Sequence, residues 1–343
     1  MSLKRKVHVA VDAMGGDYAP GEIVKGALWA AQKGDVEITL VGPAQVVEKE
    51  LSGLERVDGL PIHVVDAKDS VGEHDSPSVV IRRKSNSSIA VGAKLVKQGK
   101  VDGLVSAGST GASLVSAVQF IGMLDGMSRP AIAAPLGGFA HDVLLMDAGA
   151  NVDCRPYQLL SFAVAGTVCA EKMLRIPNPT VALLSTGAEE TKGSEAVRES
   201  YQLFKDSGLN FIGNIEGHDI LSGRANVVIC DGLVGNILLK FYESIGGYAK
   251  AWIKRKLKRQ PPLKAVAEFF FSRLFPIAQA SYEGEDEAGG LLWGINGIVR
   301  IGHGASRAEH VVHAINSVKN AVAADIVGNL KAELDKLKQQ GKL

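Results

Sequence analysis

Cysteine is scarce in this chain of 343 residues: Cys154, Cys169 and Cys230 are the three present. They are too few and too scattered for a disulfide framework or a zinc site, and none has an activating context. No uninterrupted apolar run reaches the roughly 18 residues needed to span a bilayer. The start, MSLKRKVHVAVD, is basic but arrives at Asp12 before a signal-peptide apolar region develops. A cytoplasmic location is therefore expected. Net charge is only +1, so no global field draws the chain toward nucleic acid. G-x-G-x-x-G, G-x-x-x-x-G-K-[ST] and G-x-S-x-G are all missing, so dinucleotide, P-loop and serine-hydrolase readings have no motif. Internal repeats and low-complexity tracts are missing too.

What is present is ordinary for a globular protein: 46% apolar and 22% charged residues. The length suits a single α/β catalytic domain over 1–343. Short apolar runs predict strands at Val7–Val11, Val36–Val41, Ile62–Val65, Val101–Val105, Val143–Met146, Val181–Leu184, Val227–Cys230 and Ile298–Ile301. Helical patterns lie between several of them, at Ile23–Gln32, Ser88–Gln98, Gly111–Leu124 and Pro156–Leu174. That alternation predicts a mostly parallel sheet covered on both faces. A C-terminal helix over 306–340 opens on the capping box Ser306-x-x-Glu309. Beyond Asn329 it turns polar and is expected to fray or project.

The turns that follow the strands carry the chemistry. Asp12-Ala-Met-Gly-Gly-Asp17, Ser106–Ala112 (SAGSTGA), Asp147–Asn151 (DAGAN), Ser185–Gly193 (STGAEETKG) and Asp231–Asn236 (DGLVGN) all combine glycine with Asp, Asn, Ser or Thr. Ligands of open α/β sheets bind beyond the carboxyl ends of strands. Backbone N–H groups in glycine turns and at helix starts favour an anion such as phosphate. Arg82-Arg83-Lys84-Ser85-Asn86-Ser87-Ser88 is a second anion candidate, three cations before a helix capped by Asn86, Ser87 or Ser88. Taken singly, each also reads as an ordinary turn or cap. Lys192 could neutralise a phosphate or an oxyanion, or be a surface lysine beside Glu189 and Glu190. His310 and His313 lack a third metal ligand and read as helix surface, and His303 is a weak site-lining candidate.

VDAMGGD at 11–17, RRKSNSS at 82–88, SAGSTGA at 106–112, DAGAN at 147–151, TGAEETKG at 186–193, FIGNIEG at 211–217 and DGLVGNILLK at 231–240 together resemble the phosphate acyltransferases of bacterial phospholipid synthesis. The likeness runs in order from about Val7 to about Ala324. It implies transfer of a long fatty acyl group from an acyl-carrier-protein thioester to inorganic phosphate, giving an acyl phosphate. It also implies a homodimer with a three-layer α/β/α fold like that of isocitrate and isopropylmalate dehydrogenases and phosphate acetyltransferases. No metal and no cofactor is implied, the 4'-phosphopantetheine being carried by the substrate. Phosphate is already anionic, so the lack of a Ser-His or Cys-His pair fits. By the same resemblance Lys192 binds phosphate or the oxyanion, with Asp231 and Asn236 orienting that lysine or the phosphate. Asp12, Gly15, Gly16, Asp17, Ser109, Thr110 and Gly111 would complete the pocket, with Arg82, Asn86, Ser87, Asp147, Asn151, Thr186 and Gly187 as further substrate-binding candidates.

From Lys250 to Phe275 stand eight Lys/Arg and one acid, a segment of +7 against −6 for the rest. Leu263, Val266, Ala267, Phe270, Phe271 and Leu274 follow one face of a helix, so 246–280 reads as a basic amphipathic helical segment. Its Lys254, Arg255, Lys258, Phe270, Phe271 and Leu274 are expected to meet an anionic membrane surface, or alternatively the acidic carrier protein or a dimer partner. Peripheral membrane association is a known property of the family it resembles. One stretch departs from that family, which usually has a tyrosine and then Gly-Gly-Ala-x-Leu-Leu-Gly. Here Tyr282–Gly294 has shifted glycines, four acids and Trp293, which would bear on acyl chain length. Competing readings are a coenzyme A-dependent phosphate acetyltransferase, a decarboxylating dehydrogenase and a non-catalytic membrane scaffold. The basic helix argues against the first and the lack of a metal cluster against the second. The site-like strand ends argue against the third.

Overall fold

The apolar run Val7–Asp12 pairs in parallel with Val36–Gly42, setting Val9 opposite Ile38 and Val11 opposite Leu40. Both strands are mostly buried because helices cover both faces of the sheet they found. The computed structural model describes residues 5–55, 57–72, 75–136, 142–258 and 289–343. Its strands are β1 (Val7–Asp12), β2 (Val36–Gly42), β3 (Ile62–Asp66), β4 (Gly103–Ser106), β5 (Ala131–Leu136), β6 (Val143–Met146), β7 (Val181–Leu184), β8 (Phe211–Ile215), β9 (Val227–Ile229), β10 (Gly289–Trp293) and β11 (Ile298–Gly302). They form one sheet in the order β3-β2-β1-β4-β11-β10-β5-β6-β9-β7-β8. Pairing is parallel except at β11–β10, β10–β5 and β5–β6, so the sheet is mixed and mostly parallel, as expected.

Helices α1 (Gly21–Gln32), α2 (Ala44–Ser52), α6 (Pro156–Lys172), α7 (Glu195–Ser207), α9 (Ala308–Ala323) and α10 (Ile326–Gln339) pack on one face through the largest apolar cluster. On the other face lie α4 (Ser88–Lys97), α5 (Thr110–Ser116) and α8 (Gly232–Lys258), with the short α3 (Val79–Arg82) against α5. The α6 helix is buried nearly all round, which is why its sequence lacks a polar stripe.

Several expectations need correction. Strands β5, β8 and β10 went unread because alanine, proline and glycine dilute their β-branched content. The helix expected over Gly111–Leu124 is α5 followed by a π-helical turn, Ala117–Ile121. The C-terminal helix does not run unbroken from 306 to 340. Asp325, at a left-handed φ of 46°, separates α9 from α10 and caps the latter by accepting from the Gly328 N–H. The Ser306–Glu309 box does not form, since the Arg307 N–H donates to His310 Nδ1 while Ser306 Oγ donates to the His303 carbonyl. Nor does the polar tail project, because Leu330, Leu334 and Leu337 are buried, with α10 packed on α6. In the atypical stretch, Trp293 is a fully buried residue of β10, whereas Tyr282 and its acids lie outside the described residues. Phe270, Phe271 and Leu274 also lie outside them; Lys254, Arg255 and Lys258 sit in the last turns of α8.

Candidate functional site

Asp12 ends β1 with its carboxylate buried. Its Oδ2 accepts from Ser106 Oγ at 2.7 Å, its Oδ1 from the Met14 N–H at 3.2 Å, and the Ser88 hydroxyl at the start of α4 adds a third donor. Ser106 Oγ accepts in turn from the Gly108 N–H at 3.1 Å. Gly15 packs into this junction, where a Cβ would come within 2.7 Å of both Asp12 Oδ2 and the Gly108 nitrogen. Burial pushes the Asp12 carboxyl above its ordinary value, and the hydroxyl and amide donors pull the other way. Gly16 and Asp17 continue the turn, the Asp17 N–H donating to the Gly304 carbonyl beside exposed His303. Ser109 precedes α5, and Thr110 and Gly111 open it. Exposed Arg82, Arg83 and Asn86 come before α4, and Ser87 occupies its N-cap position without a side-chain capping bond.

A second group gathers at the ends of β6, β9 and β7. Asp147 is completely buried, and its carboxylate accepts from the N–H groups of Ile132, Gly149, Ala150 and Asn151 and from Asn151 Nδ2. Asn151 Nδ2 also donates to the Pro130 carbonyl at 2.7 Å. These bonds from both side chains shape the 147–151 loop. Beside it, Asp231 caps α8 by accepting from the Val234 N–H at 2.9 Å. Asn236 lies against Gly149, 3.4 Å from where a Cβ would be. Gly232 and Gly235 let α8 settle on the loop, since a Cβ at Gly235 would overlap the Asp147 carbonyl oxygen. From β7, exposed Thr186 leads to Gly187, over which the stem of Lys192 folds. The Lys192 side chain itself is exposed.

The five glycine turns therefore form two groups: the β6, β9 and β7 strands run opposite to β1 and β4, because three successive pairings, β11–β10, β10–β5 and β5–β6, are antiparallel. Six strand steps separate β1 from β9. One apolar cluster spans both groups, from Leu114 and Ala117 to Ala148, Ala150 and Leu239. Gly304 was not anticipated beside the site, nor were the bonds of Ser88 and Ser106 to Asp12. Ser106 opens the quoted SAGSTGA motif, but its pairing with Asp12 across 94 positions leaves no local signal. His310 and His313 are helix residues, as read: His310 accepts the Arg307 N–H and His313 is exposed.

Residues 7–328 match the family model described as "Fatty acid synthesis protein". A phosphate acyltransferase of Desulforamulus reducens is 41% identical over 329 residues, covering 96% of this chain and 98% of that protein. The chain belongs to the phosphate acyltransferase family. A second member, from Pelotomaculum thermopropionicum, is 41% identical over 344 residues, covering 97% and 96% of the two chains. Solved structures show the fold alone. A phosphotransacetylase from Streptococcus pyogenes has a TM-score of 0.63 at 18% identity, covering 94% and 95%. A putative 4-hydroxythreonine-4-phosphate dehydrogenase from Salmonella typhimurium has 0.53 at 11%, covering 92% and 99%. As a family member the protein is an acyltransferase of lipid synthesis. Among its described residues no helix is long and apolar enough to cross a membrane.

Proposed function

We propose that this phosphate acyltransferase transfers a long-chain fatty acyl group from an acyl-carrier-protein thioester to inorganic phosphate, releasing the acyl phosphate and the carrier thiol. A phosphate oxygen attacks the thioester carbonyl, the new C–O bond forms, and the C–S bond breaks as the tetrahedral oxyanion collapses. The thiolate then takes a proton from solvent. The nucleophile is anionic before it binds, so the enzyme's task is positioning and oxyanion stabilisation, with no cofactor or metal of its own. The observation that carries this reading is the ladder β6–β9–β7, which sets the Lys192 loop beside the Asp231–Asn236 helix start. Lys192 meets the phosphate or the oxyanion, Asn236 orients the reacting groups, and Asp231 fixes the helix start that carries Asn236. The glycine turns of the β1–β4 group supply backbone N–H donors to the anion.

Exposed Ile237, Phe241, Tyr248 and Trp252 on α8 support contact with a further surface, for which a dimer partner, carrier protein and anionic membrane are the occupants we infer. Peripheral attachment of a cytoplasmic enzyme would deliver acyl phosphate at the bilayer. The shared architecture extends, in this reading, to decarboxylating dehydrogenases such as isocitrate dehydrogenase.

The test mixes purified protein with palmitoyl-carrier protein and phosphate and traps acyl phosphate with hydroxylamine. Phosphate-dependent hydroxamate is the expected result. Activity with acetyl-coenzyme A and none with the carrier-protein donor would reassign the chain to short-chain chemistry.

A further inference from the structure

The FIGNIEG motif at 211–217 has no part in the chemistry described so far, yet its backbone is irregular at one point. Val181 pairs with Phe211 and Leu183 with Asn214, so two steps along β7 match three along β8. The extra residue is a β-bulge, and Gly213 has a φ of +93°, open to glycine and disfavoured for other residues. A bulge exchanges the faces of every residue beyond it. Phe211 accordingly packs toward α7, edge-on to Tyr201 and Phe204, whereas Ile215 joins the cluster on the α8 face. In an unbulged strand these residues, four apart, would share a face.

Asn214 emerges from this bulge with its side chain 2% exposed. Its Nδ2 donates to the backbone carbonyl of Glu189 at 2.9 Å. That same carbonyl accepts the Lys192 N–H at 3.0 Å. One oxygen thus joins the buried amide to the backbone of the lysine. Beyond the lysine, Arg198 Nη1 donates to the Gly193 carbonyl at 2.7 Å, so the loop is gripped on both sides of an exposed side chain.

We propose that Asn214 is a positioning residue for acyl transfer: its amide anchors the Glu189 carbonyl and thereby fixes where the Lys192 ammonium stands. The proposal rests on the reading of Lys192 as the group that meets phosphate or the oxyanion. A misplacement of about 1 Å at such a group costs roughly a hundredfold in rate, so a single tether is enough to matter. Asn214→Asp keeps the shape but turns an acceptor toward the carbonyl, and Asn214→Ala removes the tether.

The experiment measures hydroxamate formation from palmitoyl-carrier protein and phosphate for the wild type, Asn214→Ala, Asn214→Asp, Lys192→Met and Lys192→Met/Asn214→Ala. Both Asn214 variants are expected to lose about ten- to a hundredfold in kcat, with KM for phosphate and donor within about twofold. In the Lys192→Met background, Asn214→Ala is expected to change the rate by less than about twofold, because residues acting through one group are not additive. If Asn214→Ala does not fold, Asn214→Asp carries the same comparison. Loss that multiplies in the double variant, or wild-type kcat in a folded Asn214 variant, overturns the positioning role and leaves Lys192 untouched. A wild-type rate for Lys192→Met removes the lysine from the chemistry and the proposal with it.

Discussion

The carbonyl oxygen of Asp147 occupies the space that a Cβ on Gly235 would need. The first turn of α8 and the 147–151 loop therefore touch backbone to backbone, and Asn236 is delivered by that contact. Gly235→Ala is expected to push the helix start away, costing about 3 kcal/mol and most of the activity. Gly217→Ala is the control, having nothing within 4 Å of its Cβ. Thermal melts and hydroxamate rates of the two variants check this; equal melts would mean the helix start yields without cost.

Asp147 itself is an internal anchor. Its carboxylate answers four backbone N–H groups and one side-chain amide, the Gly149 and Ala150 bonds part-buried and the other three buried. Removing it in Asp147→Ala strands those donors, each worth about 1–3 kcal/mol when unpaired. Urea unfolding should show a loss of at least about 3 kcal/mol. A small loss would show that water reaches the loop.

Asp12 supplies a pH test. Its carboxyl is held above the ordinary 3.8 by burial, so ionising it costs the folded state more than the unfolded chain. The stability it contributes is full below that ordinary value and is lost as pH rises through the folded value. Asp12→Asn, which cannot ionise, should therefore melt higher than wild type at neutral pH, and the difference should shrink as pH falls toward 4. Melts between pH 4 and 8 read this directly. A variant that melts lower at neutral pH would show that the Ser106 and Ser88 bonds to the charged carboxylate outweigh its burial.

Legibility in the sequence followed the range of the interaction. Strands β6 and β7 were found to the residue because continuous Val, Leu, Ala and Met runs are a local signal. The five chemical turns were equally local, each a glycine beside an acid, amide or hydroxyl. What escaped was the direction of the strands. Ala131–Leu136 and Gly289–Trp293, the two strands at which pairing turns antiparallel, have their apolar residues interrupted by Ala and Pro or preceded by Gly, so the split of the site into two groups was hidden with them. Asn214 escaped for a similar reason: its inward aim depends on a bulge, and a bulge is visible only against the paired strand.

The cysteines should be chemically silent. Cys154 and Cys230 lie close to Asp147 and Asp231 but are buried, and burial together with those carboxylates pushes Cys154 up to about 12 and Cys230 well above its ordinary value. Thiolate is the reactive form, so iodoacetamide at pH 8 should label neither residue in the folded protein and should leave the rate unchanged. Mass spectrometry checks the labelling. Modification with loss of activity would place a reactive thiol in the site.

In the mechanism proposed above, Lys192 is the residue that meets the phosphate or the oxyanion. It projects from a loop whose backbone is fixed by Glu189, Asn214 and Arg198, while its own side chain is exposed. A rigid backbone beneath a mobile cation suits a group that closes on an incoming anion. Lys192→Met keeps the length and the apolar stem over Gly187 but removes the charge. Loss of one preorganised donor to a developing oxyanion costs about 10²–10³ in rate, and kcat/KM should fall by that factor with the melting temperature unchanged. A fall confined to KM for phosphate would assign Lys192 to ground-state binding, because an interaction equal in ground and transition states leaves kcat alone. A fall in kcat would assign it to the oxyanion.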